Sequence, residues 1–225
     1  MQAVLLDVGG VLLVPHPAPI RAALAQAGLA ADFSDADALR AHYVGIHALD
    51  EAVEPERVRR AYVPAYLHAL GVPDSADEVL KPVWKLPAIQ LWRLLVPGSV
   101  QGLRQLGATG RKLAVISNSD GTVEAQLLEH RICQIGEGAG VPVLAIVDSG
   151  VLGVAKPDPR IFEHAAGLRD VSLEQAVYVG DTRRYDVAGA RAAGVTPIHF
   201  DPYVLCPDRG DHAHIESLAE VRQLI

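Results

Sequence analysis

Residues 3–13 read AVLLDVGGVLL, an apolar run that is interrupted by one acidic residue and a pair of glycines. The first four residues predict a short strand that is buried on both faces, as strands of parallel sheets are. Asp7 ends this strand, and a carboxylate followed by Gly-Gly at the end of a buried strand has few structural reasons to exist. The stretch therefore predicts a parallel strand with a functional acidic residue at its carboxyl end.

Four further apolar runs, each bounded by turn residues, predict more strands of the same kind, and helical patterns lie between most of them. Strands that alternate with helices indicate βαβ units, so we expect an α/β fold with a Rossmann-like parallel sheet. The predicted strands are 112–117, 143–147, 176–180 and 196–200, and the predicted helices are 100–106, 122–128, 159–166 and 187–193.

Residues 15–97 interrupt this alternation. The segment shows helical patterns and no convincing strand, and prolines lie at its entry and exit, which predicts an inserted α-helical cap domain. We expect a core domain over 1–14 and 98–225 and a cap over 15–97 that covers the site and selects the substrate. The helical patterns of the insert are 18–27, 35–49, 55–70 and 89–95.

The composition limits the possible partners of the chain. The 225 residues carry 20 basic and 27 acidic side chains, for a net charge of −7, and half of them are apolar. Such a chain is not disordered throughout, and it lacks the broad basic surface that binds nucleic acid or anionic lipid. Two cysteines make no disulfide framework, and neither a basic leader nor a membrane-spanning run is evident. We expect a cytoplasmic monomer or homodimer with a small-molecule partner and no nucleic-acid or membrane partner.

Polar residues follow the predicted strands at their carboxyl ends, where open parallel sheets bind ligands. Clustered carboxylates repel one another unless a cation intervenes, and oxygen ligands without His or Cys favour Mg²⁺. A hydroxyl, a lysine and helix N-terminal N–H groups can hold phosphate oxygens, and an ionised Asp7 facing that phosphate is a natural nucleophile. The residues are Asp7 after the first strand, Ser117 and Asn118 after the second, Lys156 before the helix at 159–166, and Asp181 with Asp186 after the fourth.

Four segments, in this order, resemble the motifs of the haloacid dehalogenase-like hydrolases: LLDVGGVLL (5–13), ISNSDG (116–121), AKPDPRIF (155–162) and VGDTRRYDVAGARAAG (179–194). The insert lies where subfamily I of that superfamily places its helical type 1 cap. The resemblance implies a phosphatase that acts on a small phosphorylated metabolite through an aspartyl-phosphate at Asp7. It implies phosphate binding by Gly9, Gly10, Ser117, Asn118 and Lys156, and Mg²⁺ binding by Asp7, the Gly9 carbonyl, Asp181 and Asp186.

The sequence departs from the family pattern at Gly9, where phosphatases of this superfamily usually carry an Asp that acts as general acid and then base. General acid–base catalysis contributes about 10²–10⁴ in rate, so we expect slower turnover and a preference for good leaving groups. Two alternatives stay open. A 2-haloacid dehalogenase also lacks this Asp, but Asp181 and Asp186 argue against it, and a weakened phosphate-binding or interaction protein would have lost turnover. Phosphonate hydrolysis is disfavoured because the insert holds only two lysines as Schiff-base candidates.

His16 lies at the border of the insert and is a candidate replacement for the missing proton donor, because histidine titrates near neutrality. The other polar-tipped aromatic residues and histidines of the insert are expected to be half-buried packing residues. Asp158 is expected to cap the following helix, and Arg183 and Arg184 are expected in a solvated loop. The remaining polar tract, Asp211, His212 and His214, is interpreted as a surface loop and not as a metal site.

Overall fold

The computed structural model describes residues 1–29, 32–53, 55–73, 76–167 and 171–225. The chain divides into two compact units: a core unit of Met1–Leu12 with Val96–Ile225, and an insert unit of Leu13–Leu95. The expected domain boundaries, 14/15 and 97/98, lie beside these junctions. The strands are β1 (Ala3–Leu6), β2 (Leu13–Pro15), β3 (Trp92–Leu95), β4 (Lys112–Ser117), β5 (Cys133–Ile135), β6 (Val141–Val143), β7 (Ala145–Asp148), β8 (Ala176–Gly180), β9 (Thr196–Phe200) and β10 (Ala213–Ile215).

Short helices accompany these strands in both units. The helices are α1 (Pro17–Gln26), α2 (Asp35–Glu51), α3 (Pro55–Ala69), α4 (Ala76–Leu80), α5 (Ala88–Leu91), α6 (Ser99–Gly107), α7 (Val123–Glu129), α8 (Ser149–Leu152), α9 (Arg160–Gly167), α10 (Ala188–Ala192) and α11 (Val221–Leu224). None of the helices in the described part of the chain combines the length and hydrophobicity needed to span a bilayer.

The core unit is built on a six-stranded sheet in the order β10-β9-β8-β1-β4-β7, and every neighbouring pair in it is parallel. The expected α/β fold with a Rossmann-like parallel sheet is thereby confirmed. From β1 the chain builds β4 and β7 on one side and then crosses to β8, β9 and β10 on the other. The strand order therefore reverses at β1, and such a switch point is where open α/β sheets bind ligands.

The central strands are apolar throughout because helices cover the sheet. All four residues of β1 are buried, and α9 packs against β4 and β7. The ring of Phe162 on α9 lies 4.9 Å from the ring of Tyr178 on β8 in an edge-on arrangement, and both side chains are fully buried. Truncating a buried aromatic side chain of this kind costs about 3–5 kcal/mol, so this packing holds the central strands in place.

Two predictions of strand and helix positions are wrong. The apolar run 143–147 is not one strand: β6 pairs with β5, and β7 pairs with β4 in the main sheet. The segment 89–95 is helical only in α5 and continues as β3, which pairs antiparallel with β2, so the insert does contain a strand. Short apolar runs fit a helix and a buried strand equally well, and periodicity cannot separate them.

The polar tract at 211–214 is only in part the expected surface loop, because Asp211 is exposed in a turn but the chain then enters the sheet. Residues Ala213–Ile215 form the sixth strand of the sheet beside β9, and only 2% of the His212 side chain is exposed. The nearby Arg183 and Arg184 lie in a π-helical turn, Arg183–Val187, and not in a solvated loop. Polar composition misled the prediction in both places because the fold gives these side chains partners: His212 contacts His199 and Asp211, and Arg183 pairs with Asp208.

The insert unit has its own apolar core, formed by α1 to α5 around Ile20, Leu24 and Leu67. His42 is fully buried among aromatic rings, and its Nδ1 lies 2.9 Å from the Tyr62 hydroxyl. At the start of α2, Ser34 and Asp37 form a capping box that satisfies two backbone N–H groups. The expected role of these histidine and tyrosine residues in packing agrees with this arrangement, although His42 is buried completely rather than by half.

Candidate active site

Asp7 begins the loop after β1, between the ends of β4 and β8. Its backbone N–H donates to the Val179 carbonyl at 2.9 Å, which ties this residue to the end of β8. The residue is only 7% exposed. Its carboxylate Oδ1 accepts from the Val8 N–H at 2.7 Å, and its Oδ2 lies 2.7 Å from Lys156 Nζ. The predicted nucleophile is thus held in one orientation by the backbone and by one lysine.

Lys156 is 3% exposed and bridges the two acidic strand ends. Its ammonium contacts Asp7 Oδ2 and Asp186 Oδ1, each at 2.7 Å, and donates to the Tyr178 hydroxyl at 2.7 Å. The three donors of the ammonium are therefore matched by three oxygens. This geometry fits the predicted place of Lys156 in the site and shows how one cation compensates two buried carboxylates.

Asn118 holds the backbone of Lys156. Its side-chain Nδ2 donates to the Lys156 carbonyl at 3.0 Å, and its Oδ1 accepts from the Lys156 N–H at 2.8 Å. The Asn118 amide is thus engaged on both ends with the chain, which makes it a positioning residue for Lys156. Ser117, the other residue predicted after β4, is 4% exposed and ends the strand next to β1.

Asp186 receives hydrogen bonds on both carboxylate oxygens. Its Oδ2 accepts from the Thr182 N–H at 2.9 Å and the Thr182 hydroxyl at 2.6 Å, and its Oδ1 accepts from the Tyr178 hydroxyl at 3.1 Å in addition to Lys156. The π-helical turn folds Asp186 back onto the end of β8, and such turns are frequent at functional sites. Because both oxygens are occupied, a contact of Asp186 with a metal ion is expected to pass through water.

Gly10 and Asp181 approach each other so closely that only glycine fits. Gly10 has φ +67°, a left-handed conformation, and a Cβ at this position would lie 1.8 Å from Asp181 Oδ2. Glycine adopts this conformation at no steric cost. The second glycine of the Asp7 loop therefore makes room for the first carboxylate after β8. Gly9, between Asp7 and Gly10 along the loop, is partly exposed.

Three carboxylates and one ammonium share this buried cluster. One carboxylate oxygen from each of Asp7, Asp181 and Asp186 lies within 4.8 Å of the others. Burial raises the pKa of the Asp7 carboxyl to about 7; Lys156 opposes this rise, and the other two carboxylates add to it. Burial also disfavours the ionised form of Asp186, but Lys156 and the hydrogen bonds from Thr182 together outweigh it and hold the pKa of that carboxyl below its ordinary value.

The donor set of the cluster fits a divalent cation. With all groups ionised, three negative charges face one positive charge, and hard oxygen ligands without His or Cys suit Mg²⁺. The Asp181 carboxylate occupies the space that a Cβ on Gly10 would fill, and one of its oxygens lies within 4.8 Å of an oxygen of Asp7. The residues predicted from the sequence therefore fit the group that the family resemblance implies.

His16 belongs to the insert unit, where it begins α1. Its Nδ1 accepts from the Ala18 N–H at 3.1 Å, which is an N-cap contact. Asp158 caps α9 as expected, because its Oδ1 accepts from the Arg160 N–H at 3.0 Å. The structure thus assigns a local structural contact to each residue, and the role of His16 as a proton donor stays a prediction.

Three residues of the site were missed in the sequence. Tyr178 lies in the middle of an apolar strand, so the sequence pattern predicts a core residue, and Thr182 is predicted to be a turn residue. Asp148 ends β7, and its carboxylate accepts from the N–H groups of Gly121, Val123 and Gly150, so it holds the loop after β4. The position of Asp148 after a buried strand was the same signal that identified Asp7.

Comparison with known proteins points to one family. The family model described as haloacid dehalogenase-like hydrolase matches residues 1–194. A phosphoserine phosphatase from Thermus thermophilus is 31% identical over 73% of this chain and 63% of its own length. A plasmid-borne phosphoglycolate phosphatase from Cupriavidus necator is 38% identical over 44% of this chain and 40% of its own length.

The aligned region therefore spans less than two thirds of the length of these curated relatives. Among solved structures, the hydrolase YfnB from Bacillus subtilis superposes with a TM-score of 0.65 at 18% identity, over 99% of this chain and 97% of its own. At that level of identity the likeness concerns the fold.

Proposed function

The chain belongs to the haloacid dehalogenase-like hydrolase family, and we propose that it is a Mg²⁺-dependent phosphatase acting on a small phosphorylated metabolite. The observation that carries the proposal is the buried cluster in which Lys156 Nζ lies 2.7 Å from both Asp7 and Asp186 at the switch point of the sheet. Two relatives that share more than 30% of the aligned residues are themselves named phosphatases. Hydrolysis of a phosphate ester is therefore the reaction that the site supports best.

The residues divide the chemistry among them. An oxygen of the ionised Asp7 carboxylate attacks phosphorus, the bond to the leaving-group oxygen breaks, and the phosphoryl group is transferred to Asp7. Water then hydrolyses the aspartyl-phosphate and releases phosphate. Ser117, the backbone N–H groups of the Asp7 loop and Lys156 hold the phosphoryl oxygens, while Asn118 keeps Lys156 in place.

Asp7, Asp181 and the Gly9 carbonyl are the residues that would hold Mg²⁺, with Asp186 in contact through water. When bound, the ion supplies positive charge that offsets the negative charge of the phosphate and of the carboxylates. Burial, with a smaller contribution from Asp186 and Asp181, raises the pKa of Asp7 to about 7, so without a bound cation only part of this carboxyl is ionised at neutral pH. Lys156 opposes that rise and so favours the nucleophilic form.

Gly9 offers no side chain to protonate the leaving group. We therefore expect faster turnover of substrates whose leaving groups are stable as anions, such as aryl and acyl phosphates, than of alkyl phosphates. The rate should fall as the pKa of the leaving group rises. A rate that does not vary across such a series would contradict the absence of a proton donor.

The test is a substrate panel assayed with Mg²⁺ and with a chelator. The panel contains 4-nitrophenyl phosphate, acetyl phosphate, phosphoserine, phosphoglycolate and 2-chloropropionate, and phosphate and chloride release are both measured. We expect phosphate release that requires Mg²⁺ and no chloride release. Chloride release in chelator would support a dehalogenase, and silence on every compound with retained phosphate binding would support a binding protein; either result overturns the proposal.

Matched variants connect the activity to the cluster. Asp7→Asn should abolish turnover, because an amide oxygen is a poor nucleophile. Asp158→Asn is the control, since Asp158 is an acidic residue of the same region that pairs with Arg160 outside the cluster. Activity that survives Asp7→Asn would exclude the aspartyl-phosphate route.

A further inference from the structure

A second group of potential metal ligands lies in the core unit on the far strands of the sheet, apart from the three carboxylates. It comprises His199, Cys206, His212 and His214, which we term the His/Cys cluster. One ligand atom from each of the four side chains lies within 4.8 Å of the others. Catalysis as proposed above uses none of these side chains, so the inference does not depend on the proposed function.

The backbone brings these four residues together by strand pairing. His199 on β9 and His214 on β10 are direct partners in the parallel register. His212 and His214 are separated by one residue of extended chain, and alternate residues of an extended chain face the same side. Cys206 comes from the loop between the strands, and the buried Asp201 carboxylate fixes this loop by accepting from the N–H groups of Leu205 at 2.8 Å and Cys206 at 3.0 Å.

Two separations between ligand atoms are close to those of a tetrahedral zinc site. With Zn–N of about 2.0–2.1 Å and Zn–S of about 2.3 Å, the ligand atoms of a tetrahedron lie about 3.3 Å (N to N) and about 3.6 Å (N to S) apart. In the cluster, His199 Nδ1 lies 3.1 Å from His212 Nε2, and Cys206 Sγ lies 4.0 Å from the same Nε2. Both values are within a few tenths of an ångström of the expected geometry.

In His199 and His212, one ring nitrogen faces the other imidazole, and we call it the inner nitrogen. The other ring nitrogen, the outer nitrogen, contacts an oxygen acceptor. His199 Nε2 lies 2.9 Å from the Asp181 carbonyl oxygen, which can only accept, so this nitrogen carries the proton. His212 Nδ1 lies 3.3 Å from the Asp211 carboxylate, which Arg191 holds at 2.7 Å. Metal-bound histidines almost always donate their other N–H to a carbonyl or a carboxylate in this way.

This pattern leaves inner nitrogens that need a cation. When both outer nitrogens donate, His199 Nδ1 and His212 Nε2 present lone pairs to each other at 3.1 Å. His214 Nε2 is buried and has no hydrogen-bond partner within the described part of the chain. Unpaired buried nitrogens are costly, and a metal ion would satisfy all of them at once.

We propose that His199, Cys206, His212 and His214 bind one structural Zn²⁺ ion. Three imidazoles and one thiolate make a closed four-ligand set, which is typical of structural and not of catalytic zinc. Because His199 also donates to the Asp181 carbonyl, the ion would brace the loop that presents Asp181 to the active site. The proposed zinc site and the carboxylate cluster are thus connected through Asp181 but differ in ligand chemistry.

The first measurement is the metal content of the wild-type protein. The protein is loaded with Zn²⁺ in the presence of excess Mg²⁺, which occupies the carboxylate cluster, then dialysed, and zinc is measured by mass spectrometry. We expect one zinc ion per chain, and loss of that ion from the His212→Ala/His214→Ala variant. Wild-type protein that is folded by circular dichroism and retains no zinc, or a double variant that retains it, overturns the proposal.

Cobalt substitution identifies the ligands without relying on activity. Wild-type protein loaded with Co²⁺ should show the visible bands of a tetrahedral site and a thiolate-to-cobalt charge-transfer band. Cys206→Ser should lose the charge-transfer band, whereas Cys133→Ser, which removes the other buried cysteine, should keep it. Asp211→Asn should weaken zinc binding by about 10–100-fold, as expected of a group that orients a ligand. Identical spectra for the two cysteine variants overturn the assignment of Cys206.

Discussion

Replacing Lys156 with Met tests the electrostatics of the carboxylate cluster most directly. The variant keeps most of the aliphatic volume but removes the ammonium that lies 2.7 Å from Asp7 and from Asp186. At that separation each attraction is worth about 6 kcal/mol with an effective dielectric constant of about 20, and the desolvation of the buried lysine offsets part of it. Removing one partner of a buried pair typically costs about 3–5 kcal/mol, and we expect a loss of that size in the free energy of unfolding at pH 8.

The loss of unfolding free energy in Lys156→Met should increase with pH. In the wild type, Lys156 holds the pKa of Asp186 below its ordinary value. Without the ammonium, burial raises the folded-state pKa of Asp186 above its unfolded value, so the folded state binds the extra proton. The stability of the variant then falls as pH rises, by up to about 1.4 kcal/mol per pH unit for each such proton. The deficit relative to wild type should therefore be larger at pH 8 than at pH 5.5.

Urea unfolding in chelator, followed by far-ultraviolet circular dichroism, measures this deficit. Tryptophan fluorescence would not report on the core unit, because both tryptophans, Trp84 and Trp92, lie in the insert unit. Lys112→Met is the matched control, since Lys112 is an exposed lysine of the core unit and should change stability by no more than about 0.5 kcal/mol. A loss below about 1 kcal/mol at pH 8, or a deficit that shrinks as pH rises, would refute the reasoning.

Three further predictions use other residues. Gly10→Ala should lower the unfolding free energy by at least about 1–2 kcal/mol in urea titrations, because alanine is strained at φ +67° and its Cβ would overlap Asp181; unchanged stability would contradict the close approach. Gly9→Asp should raise turnover of alkyl phosphates by up to about 10²-fold where the loop accepts a side chain, whereas Gly9→Asn should not, and equal rates would show that protonation is not limiting. Burial lowers the pKa of His42 to about 3, so the unfolding free energy of the insert unit should fall by up to about 4 kcal/mol as pH falls from about 6.5 towards 3. His42→Gln should make this unfolding free energy, followed by tryptophan fluorescence, less dependent on pH. The same pH dependence in both proteins would contradict the prediction.

The positions of the main active-site residues could be predicted from the sequence because they depend on one simple rule. In a parallel sheet all carboxyl ends meet at one edge, so a polar residue after each buried strand is brought there whatever the loops do. Asp7, Lys156 and Asp186 follow this rule, and the structure places them in direct contact. The contact partners within the cluster could not be predicted, since Tyr178 lies in an apolar strand sequence and the π-helical turn that contains Asp186 has no sequence signature.

The His/Cys cluster shows why the rest of the fold could not be predicted from the sequence. Asp211, His212 and His214 superficially suggest a metal tract, but in the sequence their distance from the strand-end loops and the absence of further ligands favour a surface loop. The missing ligands are His199 and Cys206, and only the register of β9 with β10 and the loop held by Asp201 bring them within reach. A polar tract of three residues is typical of a surface loop, and Asp211 is exposed, but the pairing of β10 with β9 leaves His212 and His214 only partly exposed. The net charge of −7 is a further case, because it gives no indication that three of the acidic side chains lie within 4.8 Å of one another in one buried cluster. Composition reports the sum of the charges, and chemistry depends on which of them the strand order brings together.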